Sequence, residues 1–114
     1  MRNALILIAA GLVLGNGAAF AASAENGKKA FVAHGCWQCH GFEGQGSIAT
    51  SNGAVIAHTE MSFEAFETFV RNTNRAMPPY REPILSKSDL ADIYAYLQSV
   101  PKPPAVASIP LLNP

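Results

Sequence analysis

The sequence is poor in several things. It has only 2 cysteines, charged residues make up only 14% of it, and 8 basic residues are balanced by 8 acidic ones, so there is no net charge. That balance leaves no basic stripe to follow a phosphate backbone, which excludes nucleic acid as a partner. Two cysteines are too few for a disulfide-dense scaffold. There is no internal repeat and no period-two alternation of the kind a half-buried strand requires. At 114 residues the chain has room for one domain.

The longest apolar run stands at the very beginning. Arg2 supplies a positive start, Ala4 to Leu14 is apolar apart from Gly11, and Gly15, Asn16 and Gly17 end the run. Ala19-Phe20-Ala21 and Ala22-Ser23-Ala24 then both match the small-x-small pattern of a processing site. The run falls short of the ~20 residues that cross a bilayer. Residues 1–21 therefore read as an export signal, with cleavage after Ala21 or as late as Ala24. Left uncleaved, the segment would tie the protein to a membrane. The working domain is then 22–100, in the periplasm, followed by a tail over 101–114. Removing the signal lowers the hydrophobic share below the overall 49%. A domain that short and lean usually needs a staple.

The mature chain reads as helices separated by loops. A first helix spans about Asn26 to His34, with Asn26 as its cap and Gly27, Ala30 and Phe31 on one face. Gly27 inside a helix costs ~1 kcal/mol against alanine, which close approach by another helix would explain. Gly41 to about Met61 is glycine-rich loop, anchored by Ile48, Val55 and Ile56. Ser62 caps a helix over Phe63 to Asn72, whose apolar face is Phe63, Phe66, Phe69 and Val70. Ser86 and Asp89 fit a capping box at the head of a helix from Lys87 to Val100. Leu90, Ile93, Tyr94 and Leu97 make one stripe on it. Five of the 8 prolines fall in the tail after Val100, which reads as extended.

Cys36-Trp37-Gln38-Cys39-His40 carries the chemistry. Two cysteines three apart and a histidine next to the second form the c-type haem attachment signature. In a helical turn the thiols project to one side, so each can add to one vinyl group of the same porphyrin. His40 follows at once as proximal ligand to the iron. The porphyrin disc supplies the staple that the composition asks for. Three other readings compete. A thioredoxin-like pair needs a βαβ setting, a zinc half-site needs further ligands from His34, His40 or His58, and a plain disulfide needs nothing more. The exported setting and the adjoining histidine favour haem.

For the sixth ligand Met77 is the leading candidate. Pro78 and Pro79 keep the strap behind it out of helix and stiff, and Pro78 pushes Met77 itself out of the α region. The alternatives are Met61, which stands at a helix start and reads as packing, His58, which would give bis-His ligation, and His34. His34 lies too near Cys36 to reach the opposite face of the porphyrin.

From about Asn26 to Val100 the chain resembles the small bacterial class I cytochromes c. Gly27 and Phe31 match the family's glycine and aromatic, Cys36, Cys39, His40 and Gly41 its haem motif, and Met77-Pro78 its axial-methionine strap. Ile93, Tyr96 and Leu97 match its last helix. The resemblance implies an all-α cytochrome c fold: three to four short helices around one covalently held haem c, the first and last helices crossing. It implies a haem bound by Cys36, Cys39, His40 and Met77, with iron ligated by His40 and Met77. One departure stands out: the family places a proline after the haem histidine, whose carbonyl orients the ring, and none occurs between His40 and Met77. A carbonyl of Gly46 or Ser47 is the expected substitute.

Function follows as electron transfer without catalysis, to and from redox partner proteins such as an exported dehydrogenase, an oxidase or another cytochrome. Two other roles are consistent with the sequence. One is a dedicated subunit of an exported dehydrogenase, held through Ile109, Leu111 and Leu112 of the tail. The other is a haem sensor with an open sixth site. Trp37 reads as local packing or as part of the exposed haem edge.

Overall fold

A computed structural model describes residues 21–47 and 53–113. Apart from Ala21, the signal segment lies outside the described residues, as does Ile48. The elements are α1 (Ala24–Ala33), α2 (Trp37–His40), α3 (Phe63–Asn72) and α4 (Lys87–Ser99), followed by two short 3-10 turns. Among the described residues there is no strand, only one isolated bridge between Ser47 and Gly53. No described helix is long and apolar enough to cross a membrane.

The fold rests on α1 packed against α4, with α3 against α4 as a lesser contact. Phe31 of α1 and Leu90, Ile93, Tyr96 and Leu97 of α4 are buried together with Phe66, Val70 and Leu85. Full burial of a side chain of this size is worth ~1.5–3 kcal/mol. Phe31 and Tyr96 meet ring to ring at 5.6 Å. Gly27 makes the contact between the helices close. A Cβ at this position would overlap the Asp92 carbonyl of α4, so the glycine's cost in helix propensity is offset by the approach that it permits.

α1 begins earlier than the sequence suggests. Ser23, not Asn26, is its cap: the Ser23 hydroxyl accepts from the Asn26 N–H at 3.2 Å. The Ser23 N–H donates to Asp92 Oδ1 at 2.7 Å, which fastens the start of α1 to the middle of α4. Ser62 and Ser86 cap α3 and α4 as expected, accepting from the N–H groups of Ala65 and Asp89. The Ser86 half of the capping box is therefore formed.

Side chains on α4 also take up the loop. Tyr96, rather than Tyr94, completes the buried stripe, and its hydroxyl donates to the Phe42 carbonyl at 2.8 Å. Tyr94 is half-buried and its hydroxyl donates to the Met61 carbonyl at 2.7 Å. Val55 is not a core anchor, being 69% exposed, whereas Ile56 packs on the core. The tail is not extended throughout. Pro110 starts a 3-10 turn with its fixed φ, and Asn113 Nδ2 donates to the carbonyls of Val106 and Ile109. Leu111 and Leu112 are exposed.

Gly27→Ala separates propensity from packing. Propensity alone makes alanine more stable by ~1 kcal/mol, whereas overpacking costs ~1–3 kcal/mol. Urea unfolding of the haem-loaded variant is expected to show a net loss of stability. A gain would mean that the two helices do not approach this closely.

Candidate functional site

The attachment turn follows from the end of α1. His34 caps α1 at its C-terminus, Gly35 takes a left-handed φ of 73°, and the chain turns straight into α2. Cys36 is half-buried, Cys39 is exposed, and one helical turn separates them. Burial pushes the Cys36 thiol up to about 11. A thioredoxin-type pair depends on a thiol whose pKa is lowered, so this shift has the wrong sign for that chemistry. Among the described residues no group of three His, Cys, Asp or Glu side chains is placed to hold a metal ion. The residues outside them contain none of these four types. The zinc reading therefore lacks its ligands.

His40 ends α2, and its ring is fixed by the next loop. Its Nδ1 lies 2.8 Å from the Ala54 carbonyl. A carbonyl only accepts, so the proton sits on Nδ1 and the lone pair of Nε2 is left for a metal. The acceptor is Ala54, not Gly46 or Ser47 as the sequence suggested. Gly46 contributes differently, donating its N–H to the His40 carbonyl at 2.8 Å. Gly53 makes this possible. A Cβ there would collide with the Cys39 carbonyl, so only glycine lets the loop run directly beneath the attachment turn. Ala54 then arrives under the imidazole.

Cys36, Cys39, His40 and Met77 all line one cavity of about 390 Å³. The rest of the wall is largely apolar, built from Phe31, Phe66, Val70, Leu85 and Ile93 among others, with Thr59 and Tyr80 as polar members, and among the described residues it holds no charged side chain. Phe69, read from the sequence as part of the core face of α3, is 49% exposed and lines the cavity. Met61 also lines it rather than packing at the start of α3, and it is 44% exposed. Met77 is half-buried and packed on the core cluster. His34 and His58 are not among the lining residues. His34 stands edge-on to Tyr80, and His58 donates its N–H to the Leu97 carbonyl. Trp37 stacks on Phe42 at 4.5 Å and is not in the wall, which is the local packing role.

The residues fit a covalently held haem. An apolar disc has an apolar slot, two thiols at the slot's wall, an imidazole with a free Nε2 and a thioether. Reading the sequence alone missed Ala54 and Gly53. A backbone carbonyl leaves no trace in residue type, and a glycine in a glycine-rich loop does not announce which neighbour it admits.

Comparison with known proteins agrees. The family model described as cytochrome c oxidase, cbb3-type, subunit III matches residues 22–97. No curated protein and no solved structure matches the chain.

Proposed function

The chain belongs to the family of c-type cytochrome domains described as cytochrome c oxidase, cbb3-type, subunit III, and on that premise we propose that it is a periplasmic electron carrier with His40 and Met77 as axial ligands. The family carries a covalently bound haem c, and the chain offers Cys36 and Cys39 at the attachment spacing. When bound, the haem supplies an iron that alternates between ferrous and ferric states.

The observation that carries the ligand assignment is the convergence of Cys36, Cys39 and His40 on one uncharged cavity; of the two methionines that line it, Met77 is favoured over the exposed Met61 because it is packed on the core cluster and backed by Pro78 and Pro79. His40 acts through Nε2, because Ala54 holds the proton on Nδ1. That hydrogen bond also orients the ring and increases its basicity. Met77 contributes a soft thioether, which favours the ferrous state and raises the potential. The apolar wall works in the same direction by disfavouring the extra ferric charge. The donor and acceptor are redox proteins: an exported dehydrogenase, an oxidase or another cytochrome. Removal of Arg2 with the signal leaves the carrier still close to neutral, so long-range steering toward them is weak and docking relies on short-range fit.

Export is supported by the N-terminal pattern, and processing after Ala21 by the role of Ser23. Cleavage after Ala24 would remove the cap of α1 and its bond to Asp92. The intact mass of the purified protein is expected to correspond to residues 22–114 plus one haem. A mass that includes residues 1–21 would instead mean a retained anchor.

The visible spectrum tests the ligands. Ferric protein is expected to be low-spin with a sulfur-to-iron charge-transfer band, and Met77→Ala to lose that band. A wild-type spectrum without the band would identify an open or differently filled sixth position. Gly53→Ala addresses His40. Pushing the loop away from Cys39 breaks the bond to Ala54 and weakens the imidazole as a ligand, by about 10- to 100-fold on the scale of such outer partners. Weaker donation stabilises the ferric state less, so the reduction potential should rise. An unchanged or lower potential would exclude this role for Ala54.

A further inference from the structure

The strap that follows Met77 is fastened by Thr73, Tyr80 and Arg71, of which only Tyr80 also lines the cavity. Thr73 is buried, and its hydroxyl donates to the Met77 carbonyl at 3.4 Å. Tyr80 is tied three ways. Its N–H donates to the Val70 carbonyl at 2.9 Å, its hydroxyl donates to the His34 carbonyl at 2.9 Å, and its own carbonyl accepts from Arg71. Arg71 Nη1 bridges the Tyr80 carbonyl, at 2.9 Å, and the Leu85 carbonyl. One guanidinium thus grips the strap both near Met77 and at its far end.

We propose that Arg71 is a positioning residue for the sixth ligand: by holding the carbonyls of Tyr80 and Leu85, it keeps the Met77 strap closed over the iron. The proposal rests on Met77 as that ligand. Arg71 stands in the last turn of α3, where a cation often serves the helix dipole. Here the guanidinium turns to the strap's carbonyls instead. Its side chain is only 13% exposed, and Nη2 is buried without a hydrogen bond, 3.7 Å from Glu67. Glu67 is shared with Lys87 at 3.1 Å. A desolvated cation with one donor left over is a poor device for stability alone, since apolar residues often do as well in such places. Its charge-assisted bonds do something more specific, because a planar guanidinium fixes two acceptors at one atom.

An external ligand competes with Met77 only while the strap is open, so its apparent affinity scales with the open population. Loss of the Arg71 grip should raise that population. The measurement is an imidazole titration of the ferric, haem-loaded protein, followed by loss of the sulfur-to-iron band. Arg71→Gln is expected to bind imidazole about tenfold or more tightly than wild type. Arg71→Lys should fall between, because an ammonium keeps the charge but not the planar grip on two carbonyls. Met77→Ala sets the upper limit. Gly27→Ala is the control for general destabilisation: it acts on the contact of α1 with Asp92 of α4 and on none of the strap's hydrogen bonds, and its imidazole affinity should stay within about twofold of wild type.

The proposal is overturned if Arg71→Gln binds imidazole no more tightly than wild type. It is also overturned if Arg71→Gln and Gly27→Ala gain affinity in proportion to the stability that each loses. Should Arg71→Gln fail to load haem, Arg71→Lys decides: affinity above wild type supports the grip, and affinity equal to wild type removes it. Failure of the ligand assignment looks different, because Met77→Ala would then keep the wild-type spectrum, and the proposal would fall with it.

Discussion

Two thioether bonds to a flat apolar disc are the constraint around which this chain is built. The helices do not make a closed core by themselves. Phe31, Phe66, Val70, Leu90 and Ile93 are core residues and cavity wall at the same time. By itself, this cavity of about 390 Å³ leaves apolar wall residues such as Phe69 and Met61 exposed, and the disc is what covers them. The porphyrin is therefore part of the hydrophobic core, and covalent attachment makes that part permanent. The small number of cysteines and the modest hydrophobic content are two sides of one solution.

Around that disc the segments that carry the two proposed ligands are held by different means. His40 sits on a helical turn and is oriented from below by a backbone carbonyl, which only a glycine at position 53 brings near enough. Met77 sits in a segment with no helix to support it, and that segment is fixed by Thr73, Tyr80 and Arg71. Tyr80 joins the two systems. Its hydroxyl reaches the His34 carbonyl at the end of α1, next to the attachment turn, while its backbone belongs to the strap. One hydrogen bond therefore links the strap to the segment that leads into the attachment turn.

Much of this was legible in the sequence, and the boundary of legibility is physical. The attachment motif, α3 with its Ser62 cap and α4 with its Ser86 cap could be read because each is encoded locally. The reason for Gly27 was also readable, as a helix glycine with no local purpose. The start of α1 was not, because both Ser23 and Asn26 are good caps. The choice between them is made by Asp92, 69 residues away. Tyr94 and Tyr96 both fit the stripe of α4, and only the position of the loop carbonyls at Phe42 and Met61 distinguishes them. The partner of His40 and the grip of Arg71 involve main-chain acceptors, to which residue identity is blind. What sequence could not supply was thus of one kind: contacts between a side chain and a distant backbone.

The same contacts bear on why an electron carrier would be built this way. Electron transfer is fastest when the ligands need not move between oxidation states, and both of the proposed ligands, His40 and Met77, are held in place by the protein itself. The bond from His40 to Ala54 and the hydrogen bonds along the strap involve no charge that changes with the iron. Apart from His40, the wall has among the described residues no titratable cation or carboxylate that would reorient when a positive charge appears. Arg71, the charged group among the strap's supports, is hydrogen-bonded to two carbonyls and lies 3.7 Å from Glu67. A site whose supporting hydrogen bonds end on backbone carbonyls responds little to the oxidation state of its centre. That insensitivity is the property a shuttle between two protein partners needs.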